Sequence, residues 1–356
     1  MKVDFLVNSL VLGGAERVLV LLANYFEEQG HDVTIITFND IEVWKPNETI
    51  KRAKLYGSRG IKNEMVRSTV VLAKHYRKKS KRPDVLISFM TRTNLIAILV
   101  ARIYGIKVIA SEHTNHVFDT DIIEKFTRNY VYRFADAMTC LTSYDIGYYQ
   151  QRKANVHIMP NPCTYEIYKE KIREREKIIL SVGALDRYQN KGFDNLIRLS
   201  APILKKHKDW KLKFVGGGQV GMIALKELAK SLEIECQVVI EGFSDEIYKI
   251  MRNSDIYALP SLFEGLPMVL IEAMSQGMVC IAYDCVSGPS DIITHGVNGI
   301  LIEDQNMEMM AKELDQLIEN NEKRTELARK AVESLDNFKM ETIYNKYLSI
   351  IQEKGR

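Results

Sequence analysis

The chain has 356 residues, 46% hydrophobic and 27% charged, with a formal net charge of +3. That length allows two domains with separate cores, and the composition is that of a soluble globular protein. The charge is too small to imply nucleic acid, so any basic function must come from local clustering. The chain opens with MKVDFLVNSLVLGGAERVLVLLANYF, which superficially resembles a signal peptide. Asn8, Ser9, Gly13, Gly14, Glu16 and Arg17 break the apolar run, so it reads as strand, loop and helix. Strand-like runs follow at VDFLV, DVTIITF, DVLISFM, KVIASE, AMTCLT and VHIMP, with helical patterns at 15–29, 60–79, 93–105, 121–135 and 143–153. No stretch approaches the roughly 20 apolar residues of a membrane span.

A charged stretch at 164–177, TYEIYKEKIREREK, reads as a linker. The second half restarts with IILSVG, LKFVG, QVVIEG, DIYALP, VCIAYD and GILIE, and with helices at 192–207, 220–231, 245–253, 267–276 and 306–319. Alternating β-branched runs and amphipathic helices predict an α/β class, two doubly wound parallel sheets each with helices on both faces. Ligands of such sheets bind beyond the carboxyl ends of the strands, which in a two-domain chain predicts a cleft site. Of the cysteines, Cys140, Cys163, Cys236, Cys280 and Cys285, none forms a C-x-x-C pair. The odd count fits a reducing cytoplasm. Cys140, Cys236 and Cys280, in or beside apolar runs, are expected to be buried.

The stretch SLFEGLPMVLIEAMSQGMVCIA (261–282) is the most informative. Glu264 falls in a loop after the DIYALPS strand, Pro267 suits the first turn of a helix, and Gly277 suits its far end. Glu272 lies about five residues into that helix, inside an apolar run where a carboxylate needs a partner. The helix N-terminus is suited to a phosphate, and a carboxylate can accept both hydroxyls of a ribose diol. With seven residues between them, Glu264 and Glu272 resemble the E-x7-E signature of the retaining family 4 glycosyltransferases of the GT-B fold.

The resemblance implies two Rossmann-like domains facing across a cleft, 1–165 on the acceptor side and 166–337 for the donor. A terminal helix in 338–356 would pack back on the first domain. It implies that Glu272 binds the ribose of a nucleotide sugar and that Glu264, with neighbours Gly265 and Leu266, contacts the transferred sugar. In VNSLVLGGAER, Gly14 matches the glycine loop near the donor diphosphate. SVGALDRYQNKGFDNLI (181–197) is similar to the element whose Arg and Lys grip the diphosphate. Lys191 matches the Lys, Ala184 stands at the Arg position, and Arg187 is the candidate replacement. ASEHTN supplies His113 for the donor sugar, with Ser111, Glu112 and Asn115 on the acceptor side. FVGGGQ and EGFSDE supply Gly216 and Phe243 near the base.

The candidate catalytic residues are thus His113, Glu264 and Lys191. DTD (119–121) has the form of a metal motif, but it follows no strand, and Asp121 with Glu124 makes a capping box. No metal and no other cofactor are expected. AKHYRKKSKRP (73–83) follows MVRSTVVL and predicts a basic amphipathic helix able to lie on an anionic membrane. The implied function is transfer of a sugar, most simply from a UDP-sugar, to a glycan or polyprenyl-diphosphate-linked acceptor. The implied setting is cell-surface polysaccharide synthesis, in the cytoplasm or peripheral on the cytoplasmic face of the inner membrane. A UDP-sugar epimerase of GT-B fold and a non-catalytic nucleotide-sugar-binding protein are the alternatives.

Overall fold

Strands that are apolar on both faces need cover on both faces, and a parallel sheet with crossover helices supplies it. The computed structural model describes residues 1–11, 13–56, 61–118, 121–168 and 175–353. The chain forms two compact units, one of Met1–Pro162 with Met340–Arg356, the other of Cys163–Lys339.

In unit 1 the strands are β1 (Lys2–Val7), β2 (Asp32–Thr37), β3 (Lys51–Lys54), β4 (Val85–Phe89), β5 (Lys107–Ser111), β6 (Ala137–Cys140) and β7 (Val156–Ile158). They pair in parallel in the order β3-β2-β1-β4-β5-β6-β7. The order reverses between β1 and β4, where Phe5 lies opposite both Ile35 and Ile87. The helices are α1 (Gly14–Glu28), α2 (Glu64–Tyr76), α3 (Thr91–Tyr104), α4 (Ile122–Phe126) and α5 (Ile146–Gln151).

Unit 2 carries β8 (Glu176–Val182), β9 (Lys211–Val215), β10 (Val238–Glu241), β11 (Ser254–Leu259), β12 (Val279–Asp284) and β13 (Ile300–Glu303). Their order is β10-β9-β8-β11-β12-β13, with the reversal between β8 and β11. Its helices are α6 (Phe193–Lys206), α7 (Gln219–Ser231), α8 (Ile247–Asn253), α9 (Met268–Ser275), α10 (Pro289–Ile292), α11 (Met307–Glu319) and α12 (Asn321–Glu333).

A last helix, α13 (Met340–Gln352), belongs to unit 1. Its Ile343, Tyr347 and Ile350 complete a core with Phe5, Leu19 and Phe26. Tyr347 and Ser111 share a hydrogen bond of 3.1 Å. Lys107 Nζ donates to the carbonyls of Ile351 and Glu353 at the helix end, each at 2.5 Å, where a cation suits the free carbonyls.

Several elements differ from the sequence-based expectation. The helix expected at 60–79 spans only Glu64–Tyr76 and is followed by a 3-10 turn at Lys79–Lys81. Pro83 forces Arg82 into extended backbone, and adjacent cations disfavour a continued helix. Its apolar face is also taken: Leu72 and Tyr76 are fully buried, and Met65, Val71 and Ala73 pack on the core. The helix expected at 121–135 is α4, a π stretch (Thr127–Val131) and a 3-10 turn (Tyr132–Phe134). Cys140 and Cys280 are buried, but Cys236 is exposed in the turn before β10. No helix among the described residues is long and apolar enough to cross a membrane.

Within unit 1, β1 buries a carboxylate. Asp4 is 1% exposed, and its Oδ2 accepts from Tyr76 Oη at 2.8 Å. Burial pushes its pKa up from 3.8 to about 6, against the pull of the Tyr76 hydrogen bond. The folded state therefore holds this proton more tightly than the unfolded chain. The resulting stability is full below about 3.8 and is lost as pH rises through about 6. The gap between the two values corresponds to about 3 kcal/mol. Asp4→Asn, which mimics the neutral acid, is expected to be more stable than wild type by about 2–3 kcal/mol at pH 7 and above. The two should converge near pH 4, as read from urea unfolding across that range.

Candidate functional site

In unit 2, β8 and β11 are the neighbours at which the strand order reverses, so the loops leaving their carboxyl ends form the crevice expected of this architecture. The β8 loop carries Gly183 to Gly192, and the β11 loop carries Pro260 to Pro267. They are stitched by Leu262 N–H donating to the Asn190 carbonyl at 3.0 Å. Gly192 sits at φ +66, and a Cβ there would lie 2.0 Å from the Pro260 carbonyl oxygen. Only glycine permits this approach.

The approach brings Lys191 onto Glu264, with Nζ to Oε1 at 2.7 Å. Ser261 Oγ donates to the same oxygen at 2.6 Å. Ser287 Oγ donates to the Glu264 and Gly265 carbonyls at 3.0 and 3.3 Å, fixing the loop. Leu266 is buried beneath it. Pro267 is the N-cap of α9, and Gly277 follows its C-cap at φ +75. Glu272, the fifth residue of α9, is 5% exposed and accepts from Thr164 Oγ1.

Gly216 directly follows β9, and a Cβ there would lie 1.8 Å from the Gly183 carbonyl oxygen. Its smallness thus keeps two strand-end loops in contact. Arg187 ends a 3-10 turn, exposed, with no ion pair among the described residues, and Ala184 is exposed nearby. Phe243 follows β10 and is also exposed.

In unit 1 the reversal lies between β1 and β4. There the structure holds a cavity of about 560 Å³, bordered by Asn8 and Ser9 after β1, Met90, Thr91 and Arg92 after β4, and Thr114 after β5. That volume suits a small ligand. Met90 adopts φ +77 to start α3, a conformation costly for a non-glycine residue. Gly14 is the first residue of α1, with open space where a Cβ would point.

His113 is half-buried and stacks on Phe89 at 4.6 Å, with its Nδ1 buried and without a hydrogen-bond partner among the described residues. Burial pushes its pKa down to about 4, so the ring is neutral. Ser111 is turned to Tyr347, and Asn115 is buried, accepting from Val117 N–H at 2.9 Å.

Behind the cavity lies a network that sequence reasoning missed. Glu112, 1% exposed, accepts from Thr91 Oγ1 at 2.7 Å, Thr114 Oγ1 at 2.7 Å and Tyr132 Oη at 2.6 Å. The Arg128 guanidinium faces it at 3.5 Å and donates to Thr114 Oγ1 at 2.6 Å. Burial works against the charge on Arg128, yet Glu112 overrides it and the pKa is raised. No sequence signal marked Arg128, since its neighbours one turn earlier, Glu124 and Lys125, are themselves charged.

Asp121 caps α4, accepting from Ile123 and Glu124 N–H at 2.9 and 3.0 Å, and both Asp121 and Glu124 pair with Arg92. Asp119 lies outside the described residues. A separate grouping of His207, Asp315 and Glu319 has Lys206 Nζ on both carboxylates, at 2.8 and 2.6 Å.

Residues 165–334 match the family Glycosyl transferases group 1, and residues 12–166 match Glycosyltransferase Family 4. The chain is 31% identical to an "uncharacterized glycosyltransferase" of Haemophilus influenzae, across 98% of each chain. It is 30% identical to GalNAc-alpha-(1->4)-GalNAc-alpha-(1->3)-diNAcBac-PP-undecaprenol alpha-1,4-N-acetyl-D-galactosaminyltransferase of Campylobacter jejuni, across 99% of each. The crystal structure of Anabaena Alr3699/HepE in complex with UDP superposes with a TM-score of 0.81 at 17% identity, covering 99% of this chain and 100% of that one. The chain belongs to the family 4 glycosyltransferases and has the α/β GT-B fold of two Rossmann-like domains.

Proposed function

We propose that the protein transfers a hexose or N-acetylhexosamine from a UDP-sugar, with retention of configuration, to a glycan carried on a polyprenyl diphosphate. The transfer takes place at the cytoplasmic membrane face and needs no metal ion. The observation that carries this is the Lys191–Glu264 pair, set by two strand-end loops beside the N-terminus of α9. The relative from Campylobacter, by its name, acts on an undecaprenol-linked glycan. The Anabaena protein holds UDP.

In unit 2, Lys191, Arg187 and the first N–H groups of α9 neutralise the diphosphate, while Glu272 takes the ribose and Glu264 the sugar. Gly216 and Phe243 border the base. His113, neutral, offers a hydrogen bond to sugar hydroxyls, and the unit 1 cavity, bordered by Glu16 in the first turn of the helix that Gly14 begins, takes the acceptor. The bond from the anomeric carbon to the diphosphate breaks as the bond to the acceptor oxygen forms on the same face. The acceptor's proton passes to the departing phosphate oxygen. No protein nucleophile is required, and the rate comes from positioning and charge stabilisation.

Incubation with UDP- and GDP-sugars, with and without a lipid-linked acceptor, tests the reading. UDP release that depends on acceptor, an axial product linkage from an axial donor by NMR, and full activity in excess EDTA are expected. A new UDP-sugar without release would instead indicate an epimerase, and thermal stabilisation without turnover a binding protein. Glu272→Ala is expected to weaken UDP binding about ten- to a hundredfold, the cost of a charge-assisted hydrogen bond. Glu264→Ala should act mainly on transfer. Near-wild-type values for both variants would overturn these assignments.

A further inference from the structure

The unit 1 cavity has a border whose composition narrows what it can hold. Much of that border is apolar. Val7 at the end of β1, Phe38 after β2 and Ile96 on α3 are buried there, and Met65 on α2 and Met90 before α3 are half-buried. Among them stand three hydroxyls from three elements: Ser9 after β1, Ser68 on α2 and Thr93 on α3. Each belongs to a residue more than nine-tenths buried, with 7%, 4% and 3% exposure. None of the three has a side-chain hydrogen bond among the described residues. The hydroxyls of Thr37 and Ser200 are sealed in without partners, whereas these three are not sealed, and the space they border is the cavity. Each therefore keeps a donor and its lone pairs for a ligand.

The charged part of the border excludes anions. Glu16, Glu64 and Glu124 lie on it, and among the described residues Arg92 is the one cation there. Asp121 and Glu124 share that arginine. A carboxylate or phosphate on the ligand would enter beside like charges, with its only cation already engaged. An ammonium would lose its water against Phe38 and Ile96. A plain hydroxyl would satisfy the serines and threonine and leave the apolar surface uncovered. A neutral group with an acceptor, a donor and a methyl meets every part. Its carbonyl accepts hydroxyl protons, its N–H donates to a hydroxyl oxygen, and its methyl covers apolar surface. On a sugar, that group is an acetamido substituent.

We propose that the unit 1 cavity reads an acetamido group on the terminal sugar of the acceptor. Ser9, Ser68 and Thr93 hydrogen-bond its amide, Phe38 and Ile96 seat its methyl, and the border carboxylates turn away acceptors that end in a uronic acid or a phosphorylated sugar. The proposal rests on the reading of unit 1 as the acceptor side and narrows that reading to one class of sugar.

The test offers the full chain the butyl glycosides of N-acetylglucosamine, N-acetylgalactosamine, glucose, galactose, glucosamine and glucuronic acid, with a mixture of UDP-sugars, and follows UDP release. The N-acetylated glycosides should exceed the plain hexosides in kcat/KM by about ten- to a hundredfold, with the glucuronide poorest. The double variant Ser68→Ala, Thr93→Val should shrink that ratio by about tenfold, the loss of two hydrogen bonds. Being a ratio, it is not moved by a smaller folded fraction. Glu64→Gln should raise the glucuronide relative to the hexosides. Equal kcat/KM for N-acetylated and plain glycosides, or a preference for the glucuronide or for glucosamine, would overturn the proposal. Saturation-transfer NMR with the same glycosides separates the two levels. If saturation reaches the acetamido methyl, weakens in the double variant and no glycoside is a substrate, the cavity reading stands and the transferase reading falls. If transfer occurs without acetamido preference, the reverse holds. Neither saturation nor transfer would overturn the proposal.

Discussion

Lys191→Ala is expected to lower kcat/KM for sugar transfer by about a hundred- to a thousandfold, the range for loss of one preorganised group that stabilises developing charge. Its Nζ is the cation that the Gly192 approach fixes against Glu264. The variant also leaves Glu264, a side chain only 11% exposed, with the Ser261 hydroxyl as its remaining side-chain donor among the described residues. A modest stability loss of about 1 kcal/mol should accompany the kinetic effect, discounted because the pair is not fully buried. The double variant Lys191→Ala, Glu264→Gln separates the roles. It should regain the stability, while UDP affinity, lowered in Lys191→Ala, should stay low if Lys191 acts on the diphosphate. Recovery of both would reduce Lys191 to a structural partner of Glu264. Steady-state kinetics, UDP titration and urea unfolding give the readouts.

The largest stability effect is expected in unit 1, and it should be asymmetric. Glu112 has three hydroxyl donors besides Arg128, whereas among the described residues Arg128 has Nε and Nη1 without hydrogen-bond partners and Glu112 as its one ion-pair partner. Glu112→Gln therefore strands a buried cation and should cost about 3–5 kcal/mol. Arg128→Met leaves a carboxylate that keeps its hydroxyls and should cost less. The double variant should recover most of the loss, since a buried pair replaced by neutral groups of similar volume is often tolerated. Because Thr91 and Thr114 both hold Glu112 and border the cavity, the single variants should also raise the acceptor KM. A double-mutant cycle by urea unfolding, with KM measured alongside, checks each point.

The central strands were readable because both faces of a parallel sheet are covered, so VDFLV or DIYALP shows as an unbroken apolar run. The edge strand β3 was not, since its four residues, KRAK, are charged and partly exposed. The helix α12 was missed for a related reason: NEKRTELARKAVE buries only Arg324, Leu327, Ala328 and Ala331, and the rest reads as solvated surface. At the site, the E-x7-E spacing and Lys191 were local and legible. Their pairing depends on which strands are neighbours, which no single motif carries. The Glu112–Arg128 network was opaque because a buried guanidinium inverts the rule that apolar positions face inward.

The placement of α13 sets a timetable for synthesis. Unit 1 is begun by the first strand and closed by residues 340–352, with all of unit 2 made in between. At about 5–20 residues per second, Phe26, Ser111 and Lys107 wait on the order of ten seconds or more for Tyr347 and the carbonyls of Ile351 and Glu353. During that interval the inserted unit can complete its own core, while the unit that encloses it in sequence still shows an open apolar flank. A nascent chain of this design therefore matures from the middle outward, and its most exposed moment for chaperones and proteases comes just before the final helix emerges.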